Sequence, residues 1–290
     1  MSAYSALSAN PQTIPYVQEL VAKRSAKVNT NGCGNTILEV ANVRMQIETY
    51  QDGYVAQDIF LDELYAFQSN SRVVVLDIGM NIGLASLYFA QMEHVEHIYG
   101  YELFEDTYRQ ALHNLLLNPM LAMKITASNQ GVWRTSEKKT LEYNYEWKAS
   151  LGLFGRPNYL DGTAVFETRT VELLDATTVL KSVRSEYPSI PLVAKLDCEG
   201  SEYSILEAWA KSNTLSEFAG LIIEWHENNM HTKDELGTIL QRNRFLCKYV
   251  DGNNTDFGML YATNSTYEGK ISFHACTPRA NSEQIIEKNG

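Results

Sequence analysis

The chain has 290 residues, with 24 Lys+Arg against 35 Asp+Glu and a formal net charge of −11. Its content of 44% hydrophobic and 20% charged residues excludes a wholly disordered or collagen-like chain, and no run reaches the ~20 apolar residues that a membrane-crossing helix needs. An acidic chain without a basic block suits neither nucleic acid nor an anionic membrane, so neither is expected as a partner. Met1 to Asn10 lack the basic start and apolar stretch of a secretory signal, and Cys33, Cys198, Cys247 and Cys276 form no C-x-x-C pair. Reduced thiols in a cytoplasmic protein fit both observations. In that compartment Asn253-Asn254-Thr255 and Asn264-Ser265-Thr266 read as chance matches to the glycosylation pattern.

Residues 1–49 carry no strong period and read as an N-terminal extension or cap. Pro11 and Pro15 sit in a polar lead-in, residues 31–35 read as a loop, and Ile37 to Thr49 reads as a strand. Ile59, Leu61, Leu64 and Tyr65 have the spacing of a short helix's inner face. From Val73 the pattern sharpens. Val73-Val74-Val75-Leu76 is β-branched and continuously apolar, as a strand buried on both faces of a parallel sheet requires. A glycine turn follows, then a helix from about Asn81, a strand from His97 to Tyr101, a helix closed by Pro119, and a strand from Met123 to Ala127. That order predicts a doubly wound α/β sheet. Thr140 to Trp147 and Thr163 to Val171 read as added strands; helix Leu173–Val183, strand Leu192–Leu196, helix Glu202–Lys211 and strand Leu221–Glu224 restore the alternation. Thr232 and Glu235 match a capping box. Phe245–Val250 and Met259–Ala262, flanking a turn-rich stretch, predict a terminal antiparallel hairpin. The expected division is 1–49 cap, 50–265 catalytic domain and 266–290 tail.

The central motif is Asp77-Ile78-Gly79-Met80-Asn81-Ile82-Gly83 at the end of the first buried strand. Gly79 and Gly83 lack a Cβ, so a ligand can approach the backbone, and the next helix offers unpaired N–H groups. Ligands in open α/β sheets bind at this carboxyl edge. The dinucleotide fingerprint would read G-x-G-x-x-G; this turn reads D-x-G-x-N-x-G, and Asp77 brings a negative charge where a pyrophosphate would disfavour one. A cofactor with a cationic centre and no phosphate suits it better, and S-adenosylmethionine is such a molecule. Asp77 favours its positive methionine end, while the turn of Gly79, Asn81 and Gly83 meets its carboxylate. Glu102, 19 residues after Gly83, stands where an acid accepts a ribose diol. Ser128 or Asn129 is placed for the adenine, with Trp133 as a pocket wall.

With Lys195-Leu196-Asp197-Cys198-Glu199-Gly200-Ser201-Glu202 and Ile223-Glu224-Trp225-His226, this motif resembles the FkbM family of SAM-dependent methyltransferases over roughly residues 50–262. The resemblance implies a class I methyltransferase fold (Rossmann-like) and methyl transfer to a hydroxyl oxygen, on acceptors that include sugars and polyketide-type natural products. Met80 and Cys198 depart from the small and aliphatic residues usual at their positions, and Met80 is expected to tighten the methionine pocket.

Side-chain direction repeats every two residues in an extended segment, so Lys195, Asp197 and Glu199 share one side, as do Glu224 and His226 on the next strand. These groups should meet beside the transferable methyl. His226 is the expected general base, with Glu224 orienting its ring; Asp197 is the second candidate and also a cofactor neighbour. Glu199 and Glu202 read as structural, tying down the loop and serving the first helical turn. Asp197, Glu199 and Glu224 are hard oxygen groups that suit Mg²⁺, but the set is not diagnostic and no metal is assigned. The acceptor pocket is expected from Tyr50 to Ile59, the Ala149–Gly155 loop and Trp225. The competing readings are an NAD(P)-dependent oxidoreductase, against which the missing fingerprint argues, and a non-catalytic SAM-binding module.

Overall fold

A computed structural model describes residues 14–155, 164–227, 231–251 and 257–274. The turn at 252–254, the 253–255 triplet, Thr163 and Cys276 lie outside the described residues. The first described element is helix α1 (Pro15–Arg24), so Pro15 belongs to a helix and not to the expected polar lead-in, whose Pro11 lies outside the described residues; Pro15 takes the first helical position, where its missing N–H costs nothing. Strands β1 (Lys27–Thr30), β2 (Thr36–Val40) and β3 (Val43–Ile47) form an antiparallel sheet. The single strand expected over 37–49 is therefore a hairpin, turned at Ala41 and Asn42, both at positive φ. Asn114 and Asn118, far along the chain, tie this sheet down: Gln46 N donates to Asn114 Oδ1 (2.8 Å), and Arg44 N to Asn118 Oδ1 (2.9 Å).

Helix α2 (Tyr50–Phe60) follows, started by a capping box in which Thr49 and Asp52 satisfy each other's backbone N–H. It ends before Leu64 and Tyr65, which lie in the turn leading to β4 (Phe67–Ser69) and not on a helix. The main alternation comprises β5 (Val73–Ile78), α3 (Leu84–Ala90), β6 (Val95–Tyr101), α4 (Glu105–Leu116), the short α5 (Pro119–Ala122) and β7 (Ile125–Ser128). Pro119 thus opens a helix as well as closing one. The expected added strands are β9 (Glu137–Tyr143) and β10 (Glu167–Asp175), joined by β8 (Gly131–Trp133) in a small mixed sheet. A 3-10 segment, Tyr145–Ser150, follows β9. Then come α6 (Ala176–Glu186), β11 (Leu192–Leu196), α7 (Glu202–Lys211), β12 (Phe218–His226), α8 (Lys233–Arg242), β13 (Phe245–Asp251), β14 (Phe257–Asn264) and β15 (Ile271–Phe273). Strand β15 pairs with β4. Thr232 does cap α8 by position, but its side chain makes no capping bond, and the carboxylate of Glu235 faces His231 Nδ1 at 2.9 Å instead.

The seven-stranded sheet has the order β13-β14-β12-β11-β5-β6-β7. Six of the seven strands run in one direction, and β14 inserts antiparallel between β12 and β13. This is the Rossmann-like class I methyltransferase architecture with its terminal antiparallel hairpin. Burial on both faces explains the unbroken apolar runs: all six residues of β5 and all five of β11 are buried. One face, with Val73, Val75, Val193 and Ile222, packs against α1, α2 and α3. The other, with Val74, Leu76, Ala194 and Ile223, packs against α6, α7 and α8. Strand order reverses between β5 and β11, and ligands bind where the adjoining loops diverge at that carboxyl edge.

Candidate active site

The β5 turn is built on two positive-φ residues in close succession, Gly79 (φ 81°) and Asn81 (φ 51°). Gly79 is required twice over: a Cβ there would stand 1.7 Å from the carbonyl oxygen of Asp197. Asn81 N donates to Glu102 Oε2 (2.9 Å), and Phe104 N donates to Glu102 Oε1 (2.9 Å), so the carboxylate at the end of β6 is clamped against the turn. Burial pushes the Glu102 carboxyl up to about 7 despite these two donors. Asn129 stands behind it, its amide donating to the Glu102 carbonyl (3.0 Å). Gly83 begins α3 and faces Ala111, where a Cβ would come within 3.3 Å. Met80 does not enter the cofactor region. It is buried over Gly100 of β6, whose missing Cβ makes room for its sulfur.

A crevice of about 590 Å³, including its open mouth, runs along this edge. Its lining includes Gly79, Asn81 and Glu102 on one side and Asp197, Cys198 and Glu199 on the other, with Gly131, Val132 and Leu173 at the far end. Trp133 packs edge-on against Phe154. The roof is the segment 148–153. It is pinned to α2 by a buried ion pair, Lys148 Nζ to Asp52 Oδ1 at 3.0 Å, and by Gln51, which accepts from Ala149 N (2.8 Å) and donates to Ser150 Oγ (2.8 Å). Gly152 allows the roof to lie against the β11 turn, since a Cβ there would be 2.6 Å from Glu199 Cβ.

Asp77, Lys195 and Asp197 project from the same face of β5 and β11. Lys195 is only 2% exposed; its Nζ donates to the Gly79 carbonyl (2.6 Å) and pairs with Asp77 Oδ1 (3.3 Å) and Asp197 Oδ2 (3.2 Å). Ser86 Oγ donates to Asp77 Oδ2 (2.6 Å). Asp77 is thus wholly buried beneath the turn, acting on it through Lys195. Although burial alone would lower the Lys195 pKa, Asp197 and Asp77 raise it, and the ammonium stays charged. For Asp197, burial works against ionisation, but Lys195, His226 and a hydrogen bond from Tyr65 hold its carboxyl below the usual range. Tyr65 O–H donates to Asp197 Oδ2 at 2.8 Å and stands 3.4 Å from Glu224 Oε2.

Sequence reasoning missed Tyr65. Its partner is 132 positions away, and it lies in a turn without periodicity, so no local pattern carried the information. The structure does bring Asp197, Glu224 and His226 together, with a different partner for the imidazole. His226 Nδ1 lies 3.3 Å from Glu202 Oε1 and Nε2 lies 3.6 Å from Glu199 Oε2. Burial alone would push His226 down, but Glu199, Glu202 and Glu224 raise it well above the usual imidazole range. These carboxylates therefore favour the protonated form of the ring. Burial raises Glu224 well above the carboxylate range, with Asp197 adding to the shift, and it lifts Glu199 to about 7. Asp197, Glu199 and His226 each present one ligand atom, all within 4.8 Å of one another. Trp225, expected in the acceptor pocket, is fully buried on the opposite face among the α8 contacts, because it alternates with Glu224 and His226 along β12.

The residues fit S-adenosylmethionine. The crevice carries the carboxyl groups of Glu102, Asp197 and Glu199, which favour a cation over a phosphate. Among the described residues no helix is long and apolar enough to cross a membrane. The sequence matches the Methyltransferase FkbM domain over residues 77–250, more than half of the chain. No curated protein matches it. Among solved structures it is similar to methyltransferase FkbM from Methylobacillus flagellatus KT, at 17% identity and a TM-score of 0.45 over 73% of this chain and 50% of that one. Thus the chain spans about half the length of that relative. It is also similar to TYW2 of M. jannaschii in complex with AdoMet, at 12% identity and a TM-score of 0.39 over 79% of this chain and 84% of that one. Family membership rests on the sequence match: this chain belongs to the FkbM methyltransferase domain family, and its cofactor is S-adenosylmethionine.

Proposed function

We propose that this protein is an O-methyltransferase that acts on a hydroxyl of a small molecule, sugar or glycan, or polyketide-type acceptor. One observation carries the reading: Asp197, the carboxylate held ionised, stands where the cofactor crevice meets the Tyr65, Glu224 and His226 cluster. When bound, S-adenosylmethionine supplies a methyl group already activated for in-line displacement. The chain's residues then have three tasks. Glu102 accepts the ribose hydroxyls, with Asn129 fixing its backbone, and the turn of Gly79, Asn81 and Gly83 offers its backbone to the methionine end. Asp77 and Asp197, flanking the single ammonium of Lys195, leave the turn net negative and so favour a cationic cofactor. The roof at 148–153 excludes water from the crevice.

The third task is the acceptor's proton. An attacking hydroxyl becomes a protonated ether, which is far more acidic than any carboxylic acid, so an ionised carboxylate suffices as base. Asp197 fills that role better than His226, whose carboxylate neighbours favour its protonated form. His226 and Glu224 border the acceptor and hold its other polar groups. The test is transfer of labelled methyl from S-adenosylmethionine to a panel of sugars and polyols, with Asp197→Asn as the partner variant. Methyl ethers formed by the wild type, and at least a hundredfold less by Asp197→Asn with cofactor binding retained, are expected. Methyl found on carbon or nitrogen, or transfer unchanged by Asp197→Asn, overturns the reading.

A further inference from the structure

We propose that Asp197, Glu199 and His226 form a divalent-cation site at the acceptor end of the crevice. Each offers one ligand atom, and the mutual separations, none above 4.8 Å, need only a small contraction to surround an ion at ~2.0–2.2 Å. Asp197 and Glu199 leave the same turn after β11, and His226 ends the neighbouring strand, so the set is held by the sheet. Two carboxylates and one imidazole suit Mn²⁺ or another first-row divalent ion, with Mg²⁺ as the hard alternative.

A second observation lies outside the three ligands. Glu202 is 0% exposed, its Oε1 faces His226 Nδ1 at 3.3 Å, and its Oε2 has no hydrogen-bond partner. A buried carboxylate behind the ring keeps a proton on Nδ1 and leaves Nε2, which faces Glu199, as the nitrogen that gives up its proton to an ion, which is the supporting arrangement of a metal-binding histidine. The surrounding charge agrees. Among the described residues the carboxyl groups of Asp77, Asp197, Glu199 and Glu202 outnumber the two cations that pair with them, Lys195 and His226. A divalent ion offsets the remaining excess. Three protein ligands leave positions for the two oxygens of a vicinal diol or hydroxy-ketone, which names the acceptor class. This last step rests on the O-methyltransferase reading; the ion site does not. Held by the ion, the acceptor hydroxyl becomes more acidic, which reduces the work left to Asp197 as base.

The experiment uses the full chain stripped with EDTA and titrated with Mn²⁺, following loss of the free-ion EPR signal and the heat of binding. One Mn²⁺ per chain is expected. Glu199→Gln and His226→Ala should each weaken it at least tenfold, and Glu202→Gln about tenfold through the ring, in variants whose circular dichroism matches the wild type. Absence of Mn²⁺ binding at 1 mM by folded protein overturns the site, as does equal affinity in Glu199→Gln and His226→Ala. Methyl transfer to oxygen at full rate in EDTA also overturns it, while leaving the O-methyltransferase reading intact. Conversely, Mn²⁺ binding that depends on Glu199 and His226, in a protein that methylates no oxygen, keeps the site and removes that reading.

Discussion

Lys195→Met tests the brace beneath the cofactor turn. Methionine approximates the length and volume of lysine, so packing is kept while one buried charge is removed. Three groups lose their partner: the Gly79 carbonyl, Asp77 and Asp197, at 2.6, 3.3 and 3.2 Å from Nζ. Breaking a buried ion pair from one side costs about 3–5 kcal/mol, because the surviving charge stays desolvated. Spread over an unfolding entropy of roughly 0.6 kcal/mol/K for a chain of this length, that is about 5–8 °C in Tm. Asp77 can relieve part of the loss by taking a proton, since burial already raises its pKa even with Lys195 present. The deficit should therefore shrink as pH falls from 7.5 to 5.5. Urea unfolding followed by circular dichroism at the two pH values measures this, and Asp77→Asn supplies the double-mutant cycle. A loss below about 1 kcal/mol at pH 7.5 would refute the brace. So would an equal loss in the Asp77→Asn background.

Three further outcomes follow from the same geometry. With the Glu102 carboxyl at about 7, the apo protein holds a proton that ribose binding must displace, so the Kd for S-adenosylhomocysteine should rise about tenfold from pH 8 to pH 6; a flat calorimetric profile contradicts this. The sign for folding is opposite: because burial holds the folded pKa above the ordinary glutamate value of 4.5, the Glu102 contribution to stability is fully present below about 4.5 and is lost as pH rises through about 7. Tyr65→Phe should leave S-adenosylhomocysteine affinity within about twofold and slow turnover about ten- to a hundredfold, the worth of a hydrogen bond to a charged group; unchanged turnover would remove Tyr65 from the site. Gly79→Ala places a methyl 1.7 Å from the Asp197 carbonyl at φ 81°, so cofactor binding should be lost along with more than about 2 kcal/mol of stability. Normal binding by that variant would show that the turn is not as tight as described.

The parallel strands were legible because burial on both faces imposes continuous apolar runs, as in Val73–Ile78 and Leu192–Leu196. The glycine turn was legible because Gly79 has no substitute at that backbone angle. The β2–β3 hairpin was not, since Ala41 and Asn42 make a left-handed turn without glycine. Trp225 could have been placed correctly from the period-two rule already applied to Glu224 and His226. What no local pattern carried were the links between distant positions: Tyr65 to Asp197, Lys148 to Asp52, and Asn114 and Asn118 to the N-terminal sheet. The resemblance to FkbM methyltransferases rested on residues 77–83, 195–202 and 223–226, and the family match over 77–250 spans all three. The choice of proton acceptor depends on charge, and charge depends on burial. Only the assembled site shows His226 between two carboxylates and Asp197 beside a lysine.

The most direct measurement is a crystal structure grown with saturating S-adenosylhomocysteine. The account predicts the ribose hydroxyls on the Glu102 carboxylate, the amino-acid end at the Gly79–Asn81 turn and the sulfur facing Asp197. An ordered protein with that crevice vacant, or with the ligand bound elsewhere, would contradict it.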